Sequence, residues 1–158
     1  MSKLIAFTVL SLVASAWAYS AGAPEGVCDD MTPKHPVDPQ KSRMPYKISI
    51  EKAQVKSGDE VKIGIDGKAF KGFFLQVRDG NKAVGSFQIP GDDKYLKTVN
   101  CHGTKASGAT HKNSVEKKEM YVTWKAPAKA GKYTVYATVA EDGGTFWAQK
   151  PSGIITVE

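Results

Sequence analysis

The sequence predicts an all-β protein, an immunoglobulin-like antiparallel β-sandwich of seven to nine strands. Three observations predict it. Apolar residues alternate with polar ones in a series of short runs, the pattern of half-buried strands. Polar segments carrying Gly or Pro separate the runs. No segment after residue 18 shows a sustained helical apolar stripe. With 158 residues, 41% hydrophobic and 24% charged, the chain is an ordinary single globular domain. It is long enough to bury a core without a metal.

Residues 1–18, "MSKLIAFTVLSLVASAWA", read as a secretory signal peptide. Lys3 precedes an apolar run from Leu4 to Val13, and Ala16 and Ala18 flank Trp17 in an A-x-A cleavage pattern. The competing reading is a membrane anchor, but spanning needs about 20 apolar residues and this run is shorter. Cleavage after Ala18 is expected, so the mature chain from Tyr19 is expected to be secreted. One domain covers 19–158. Its first part, 19–45, holds five prolines and little periodicity, so an irregular lead-in is expected.

The strands follow. "YKISIEK" places Tyr46, Ile48 and Ile50 on one face, and "EVKIGID" does the same with Val61, Ile63 and Ile65. "FFLQVRD" sets Phe73, Leu75 and Val77 against Phe74, Gln76 and Arg78. "RDGNK" suits a tight hairpin at Asp79-Gly80, and Phe87 with Ile89 sits on the return strand. The segment "GTKASGATHKNSVEKKE" reads as a long polar loop with a short strand near Ala109–His111. "EMYVTWKA" alternates Met120, Val122 and Trp124 against Tyr121 and Thr123. "KYTVYATVA" alternates Tyr133, Val135, Ala137 and Val139 against Thr134, Tyr136 and Thr138, and "GIITVE" closes the chain with one more strand. Tyr133, two residues before Val135, stands where immunoglobulin-like domains place a corner tyrosine. A plain core aromatic is the other reading of Tyr133.

Cys28 and Cys101 are the only cysteines. In an oxidising compartment the simplest assignment is one disulfide between them, stapling the lead-in to the domain. A bridge between two chains is the alternative.

The segments "VCDDMTPKHPVDPQ", "PYKI", "FKGFFLQVRD", "VGSF", "NCHGTKASGATH", "WKAPAKAGKYTVYATVA" and "FWA" fall in the order seen in the reeler domain. A short exported chain holding one such domain resembles the insect defence proteins of the noduler group. The resemblance implies a non-enzymatic protein of innate immunity. It would bind lipopolysaccharide, lipoteichoic acid and β-glucan and promote haemocyte nodulation or an antimicrobial response. It carries over no motif of binding residues.

The residues themselves offer no catalytic constellation. His35, His102 and His111 match no usual zinc spacing, no Ser sits in a G-x-S-x-G setting, and no phosphate-cradling glycine motif opens a helix. No cofactor, metal or enzymatic activity is expected. The formal charge is +6, falling to +5 without Lys3, and of 22 basic residues only Arg43 and Arg78 are arginines. Flexible lysine point charges suit loose attraction to polyanions better than base reading of nucleic acid. They are equally a means of solubility.

The expected ligand-binding residues are Lys71, Phe74, Arg78, Lys82 and Trp147. Phe74 beside cations could hold an acyl chain or sugar face, unless it fills the core. In "TFWA", Phe146 and Trp147 point opposite ways, so one is expected buried and the other free to serve as a platform. The expected partners are anionic microbial glycans or glycolipids, with a haemocyte surface as a further one. The alternative is an extracellular matrix or receptor-binding adhesion module. Its expected signature is a contiguous exposed apolar patch with a polar rim.

Overall fold

The computed structural model describes residues 19–158, and the expected signal peptide, 1–18, lies outside them. The strands in chain order are β1 Lys47–Ile50, β2 Gln54–Val55, β3 Glu60–Asp66, β4 Gly72–Asp79, β5 Lys82–Ala83 and β6 Ser86–Gln88, then β7 Leu96–Cys101, β8 Thr104–His111, β9 Met120–Lys125, β10 Gly131–Asp142 and β11 Thr145–Val157. They form two sheets, one of order β1-β3-β9-β6 and one of order β2-β11-β10-β4-β8-β7, with β5 attached to β4. The fold is an all-β sandwich. Every strand pair is antiparallel except the short parallel contact of β2 with β11.

Period-two alternation fills the space between the sheets. Ile63 and Ile65 from β3, Leu75 and Val77 from β4, Val122 and Trp124 from β9, and Val135 and Ala137 from β10 all meet there. Tyr133 is both a core aromatic and a corner tyrosine: it is buried, and its hydroxyl donates to the Lys129 carbonyl at 2.6 Å. At the β4–β5 hairpin Asp79 pairs with Lys82, leaving Gly80 and Asn81 as the two-residue loop. Gly80 adopts a φ of 59°, as expected of a tight hairpin.

The segment read as a long polar loop is instead largely β8, eight residues paired with both β4 and β7. Ser107, Gly108, Ala109 and Thr110 are all buried there. They look loop-like because none is large and apolar, yet large groups would not fit. A Cβ on Gly108 would lie 2.8 Å from the Phe74 ring and 3.5 Å from Cys101 Sγ. Ser107 spends its hydroxyl on the Cys101 and Thr104 carbonyls and accepts from the Cys101 amide.

The seven-stranded sheet is covered on its outer face as well. The lead-in, with a single 3-10 turn at Glu25–Val27, lies across β4, β8 and β10. A disulfide joins Cys28 to Cys101 within the chain. Ala23, Val27, Cys28 and Met31 form a second, smaller core with Phe74, Ala83, Val99 and Cys101. Seven of the eight β4 residues are therefore buried.

Candidate functional site

Alternation puts Phe74, Gln76 and Arg78 on the outer face of β4, as expected, but that face is not wet. Arg78 is 4% exposed. Its Nη2 donates to the Cys28 and Asp29 carbonyls at 2.6 and 3.1 Å, and its Nε donates to Gln76 Oε1 at 2.7 Å. The guanidinium also sits 5.2 Å from the centre of the Tyr136 ring. Every direction in which it could grip a ligand is taken by the lead-in. The expectation that Arg78 meets a ligand is corrected: it is a structural clamp.

Trp147 is also withdrawn. It is buried in the main core, edge-on to Tyr46, and its Nε1 donates to Ser42 Oγ. Its neighbour Phe146 does face the other way but is buried too, with the His35 ring set against it at 5.3 Å. Both faces of this strand are covered, one by the opposite sheet and the other by the lead-in. Neither residue is a surface platform. Lys82 is exposed at the β4–β5 hairpin, next to Arg78 on the ladder, and does not line the pocket described below.

Lys71 and Phe74 are brought together. Both line an apolar pocket of about 120 Å³ between the lead-in and the outer face of the larger sheet. Val27, Met31, Phe74 and Ala140 give it a hydrocarbon wall, and Lys71 is an exposed cation on its lining. An enclosed apolar cavity of about 150 Å³ accommodates benzene, so a space of this size suits a short apolar group. Among the described residues, only Lys68 and Lys129 of the lysines lie within ion-pair distance of a carboxylate. Lys71 is thus free to meet an anion.

Two histidines complete the pocket. The Phe73 amide donates to His111 Nδ1 at 3.1 Å, and His111 Nε2 donates to the Tyr19 carbonyl at 2.9 Å. This is the neutral imidazole, bridging β4 to the start of the lead-in. Burial pushes its pKa below the usual 6.5, the Phe73 and Tyr19 carbonyls beside its ring nitrogens oppose that shift, and the nearby Lys117 and Lys97 ammoniums add to it. The same two ammoniums make this end of the sheet electropositive. His35, on the other wall, is likewise held below 6.5 by burial, against the pull of Asp142. Its Nδ1 is buried without a hydrogen-bond partner. Neither histidine stood out in the sequence, because each owes its place to a contact between segments far apart in the chain.

His102 sits beside the disulfide. It accepts from the Ala83 amide and meets Asp29 at 2.9 Å, tying the β5 hairpin to the lead-in. Among the described residues, no group of three or more His, Cys, Asp or Glu is placed to hold a metal ion. No helix among them is long and apolar enough to cross a membrane.

Comparison with known proteins agrees with this architecture. The Reeler domain family profile matches residues 26–158. "Putative defense protein Hdd11" of Hyphantria cunea is 39% identical over 159 residues, covering 96% of this chain and 95% of that protein. "Defense protein l(2)34Fc" of Drosophila melanogaster is 35% identical over 152 residues, covering 93% and 94%. The crystal structure of the human F-spondin reeler domain superposes with a TM-score of 0.59 at 17% identity. It covers 76% of this chain and 91% of that one, a likeness of fold.

Proposed function

The chain belongs to the Reeler domain family, and from that premise we propose that it is a non-catalytic recognition protein of innate defence that captures acylated, anionic polymers of microbial surfaces. Relatives that match nearly its full length carry defense-protein names, which supports a defence-related role. The finer reading rests on one observation: an exposed, unpaired Lys71 on the lining of an apolar pocket under a disulfide-clamped lead-in.

Lipopolysaccharide and lipoteichoic acid each join a phosphate-bearing polymer to acyl chains. The pocket offers room for the end of one chain, while Lys71 and the lysines scattered over the surface attract the phosphates. Single exposed ion pairs contribute about 0–1 kcal/mol each. Affinity would therefore come from repetition of the ligand across a microbial surface. Capture of this kind is the chemistry that would let the protein tag a microbe for haemocyte nodulation. An intrachain disulfide suits the oxidising fluid in which such a protein would work.

The test is pull-down of the protein on lipopolysaccharide and lipoteichoic acid across a salt series, alongside the same polymers with their acyl chains removed. Binding should weaken as salt rises and should drop when the acyl chains are gone. Binding indifferent to both changes overturns the reading.

A further inference from the structure

The loop between β8 and β9 has the Lys71 pocket on one side and a separate groove on the other: Ser114 lines the pocket and Val115 the groove. Five large hydrophobic residues are exposed among those described. Three of them, Tyr95, Val115 and Tyr121, at 51%, 53% and 48% exposure, converge on this groove with Leu96 and Met120. We propose that the groove docks a protein partner through an extended, lysine- or arginine-bearing segment laid along the open edge of β9. Such docking goes beyond microbial capture and does not depend on it.

One side of the site is an open strand edge. β9 pairs with β3 along its whole length, from Met120 opposite Ile65 to Lys125 opposite Glu60. On its other side β6 reaches only Thr123, opposite Gln88. The chain then leaves the sheet in a turn, where the Asp93 amide donates to the Pro90 carbonyl at 3.1 Å. Met120, Tyr121 and Val122 therefore have no strand beside them on the β6 side. The Tyr121 ring does not cover the gap. A Cβ on Gly64 of β3 would fall 2.5 Å from Tyr121 Cε1, so the ring leans over β3 and away from β6. Extended peptides add to such edges, with main-chain hydrogen bonds for affinity and alternate side chains for selectivity.

The walls are pinned. Asp93 Oδ1 accepts from the Tyr95 and Leu96 amides, both at 2.8 Å, and Lys112 donates from its amide to the Tyr95 carbonyl at 2.7 Å. On the other side the Lys117 ammonium, buried with its residue, donates to the carbonyls of Lys71, Asn113 and Val115. Three carbonyls around one buried ammonium fix the loop that presents Val115. A groove whose walls are already ordered loses little entropy when it binds.

Charge and area select the occupant. Asp93, Glu116 and Glu119 line the groove, and among the described residues none of their carboxylates has a lysine or arginine within ion-pair distance. Lys112 and Lys117 turn their ammoniums onto backbone carbonyls, which leaves Lys118 as the free cation of the lining. On a chain of formal charge +6 this is a locally acidic place, complementary to a cationic segment. Two half-exposed tyrosines and a valine present about 300 Å². That is well short of the about 800 Å² a globular partner buries on each side. A short extended segment draws the rest of its contacts from the strand edge.

The test is fluorescence anisotropy of the full protein with a labelled heptapeptide that alternates lysine with valine and leucine. The peptide should bind saturably, and less well as salt rises. The same peptide with glutamate for lysine should bind about tenfold more weakly or worse. A version N-methylated on alternate amides cannot pair with a strand edge and should lose binding. Tyr95→Ala and Tyr121→Ala should each weaken binding about five- to tenfold, and Glu116→Lys combined with Glu119→Lys should do the same. Circular dichroism of these surface variants should match the parent. Tyr121→Ala should leave lipopolysaccharide pull-down unchanged, so failure of this site and failure of the pocket are told apart. A loss there would hand the groove to the polymer and overturn the proposal. No saturable binding, equal binding of the glutamate or N-methylated peptide, or binding untouched by the variants also overturns it. So does self-association in sedimentation that Tyr95→Ala abolishes, which would make a second copy the occupant.

Discussion

Arg78 Nη2 donates to the carbonyl of Cys28 at 2.6 Å across fifty residues of chain, so the guanidinium and the disulfide hold the same residue from two sides. Lysine cannot reproduce the fork that spans Cys28, Asp29 and Gln76. Arg78→Lys should lower stability by about 2 kcal/mol, the order of one lost charge-assisted hydrogen bond in a buried setting. Urea unfolding followed by tryptophan fluorescence reads this. An unchanged midpoint would show that the clamp is dispensable.

The disulfide closes a loop between residues 73 apart. Chain entropy then sets its contribution at about 4 kcal/mol at most. Replacing both Cys28 and Cys101 by Ser should remove much of that. It should also loosen the lead-in before the sandwich, because Val27 and Met31 pack only in the smaller core. Hydrogen exchange should show protection lost at Met31 and the Ala23 amide, with the β4–β10 ladder still protected.

His111 gives stability a dependence on pH. Burial holds its folded-state pKa below 6.5, so the unfolded chain takes up a proton first as pH falls. Its contribution is complete above pH 6.5 and is lost as pH drops below it towards the folded value. His35 acts in the same direction, also through burial. The melting temperature should therefore fall between pH 7.5 and pH 5. His111→Gln should flatten that slope in part, and a slope identical to the parent's would count against it.

Lys71→Glu should weaken binding to lipopolysaccharide about three- to tenfold at low salt, the size of reversing one exposed charge, and much less at 0.5 M salt. The same change at Lys82, also exposed but away from the pocket, should do less. Both variants should melt with the parent. Equal losses at the two positions would mean that charge alone, and not the pocket, governs capture.

Tyr133→Phe removes the hydroxyl that donates to the Lys129 carbonyl and keeps the ring in the core. A loss of about 1 kcal/mol is expected in chemical denaturation. No loss would reduce Tyr133 to a packing residue.

The sandwich itself was legible in the sequence. Alternation at Ile63/Ile65, Phe73/Leu75/Val77, Val122/Trp124 and Tyr133/Val135 assigned each residue to a face, since neighbours on a strand must point opposite ways. The hairpin at Gly80 and the cysteine pair were equally readable, because turn chemistry and an even cysteine count are local or compositional signals. β8 was not, since its small residues serve two packed layers at once and so carry no alternation of size.

Of the candidate site, the sequence supplied Lys71 and Phe74 but also Arg78, Lys82 and Trp147, which the fold sends elsewhere. Periodicity reports which way a side chain points from its own strand. It says nothing of what lies over that face. Only the tertiary structure shows the lead-in folded back on the outer sheet, turning an exposed row into a buried one with an apolar pocket beside it. The covering segment is joined to that row by contacts across 48 to 107 residues, and no local pattern encodes so distant a neighbour.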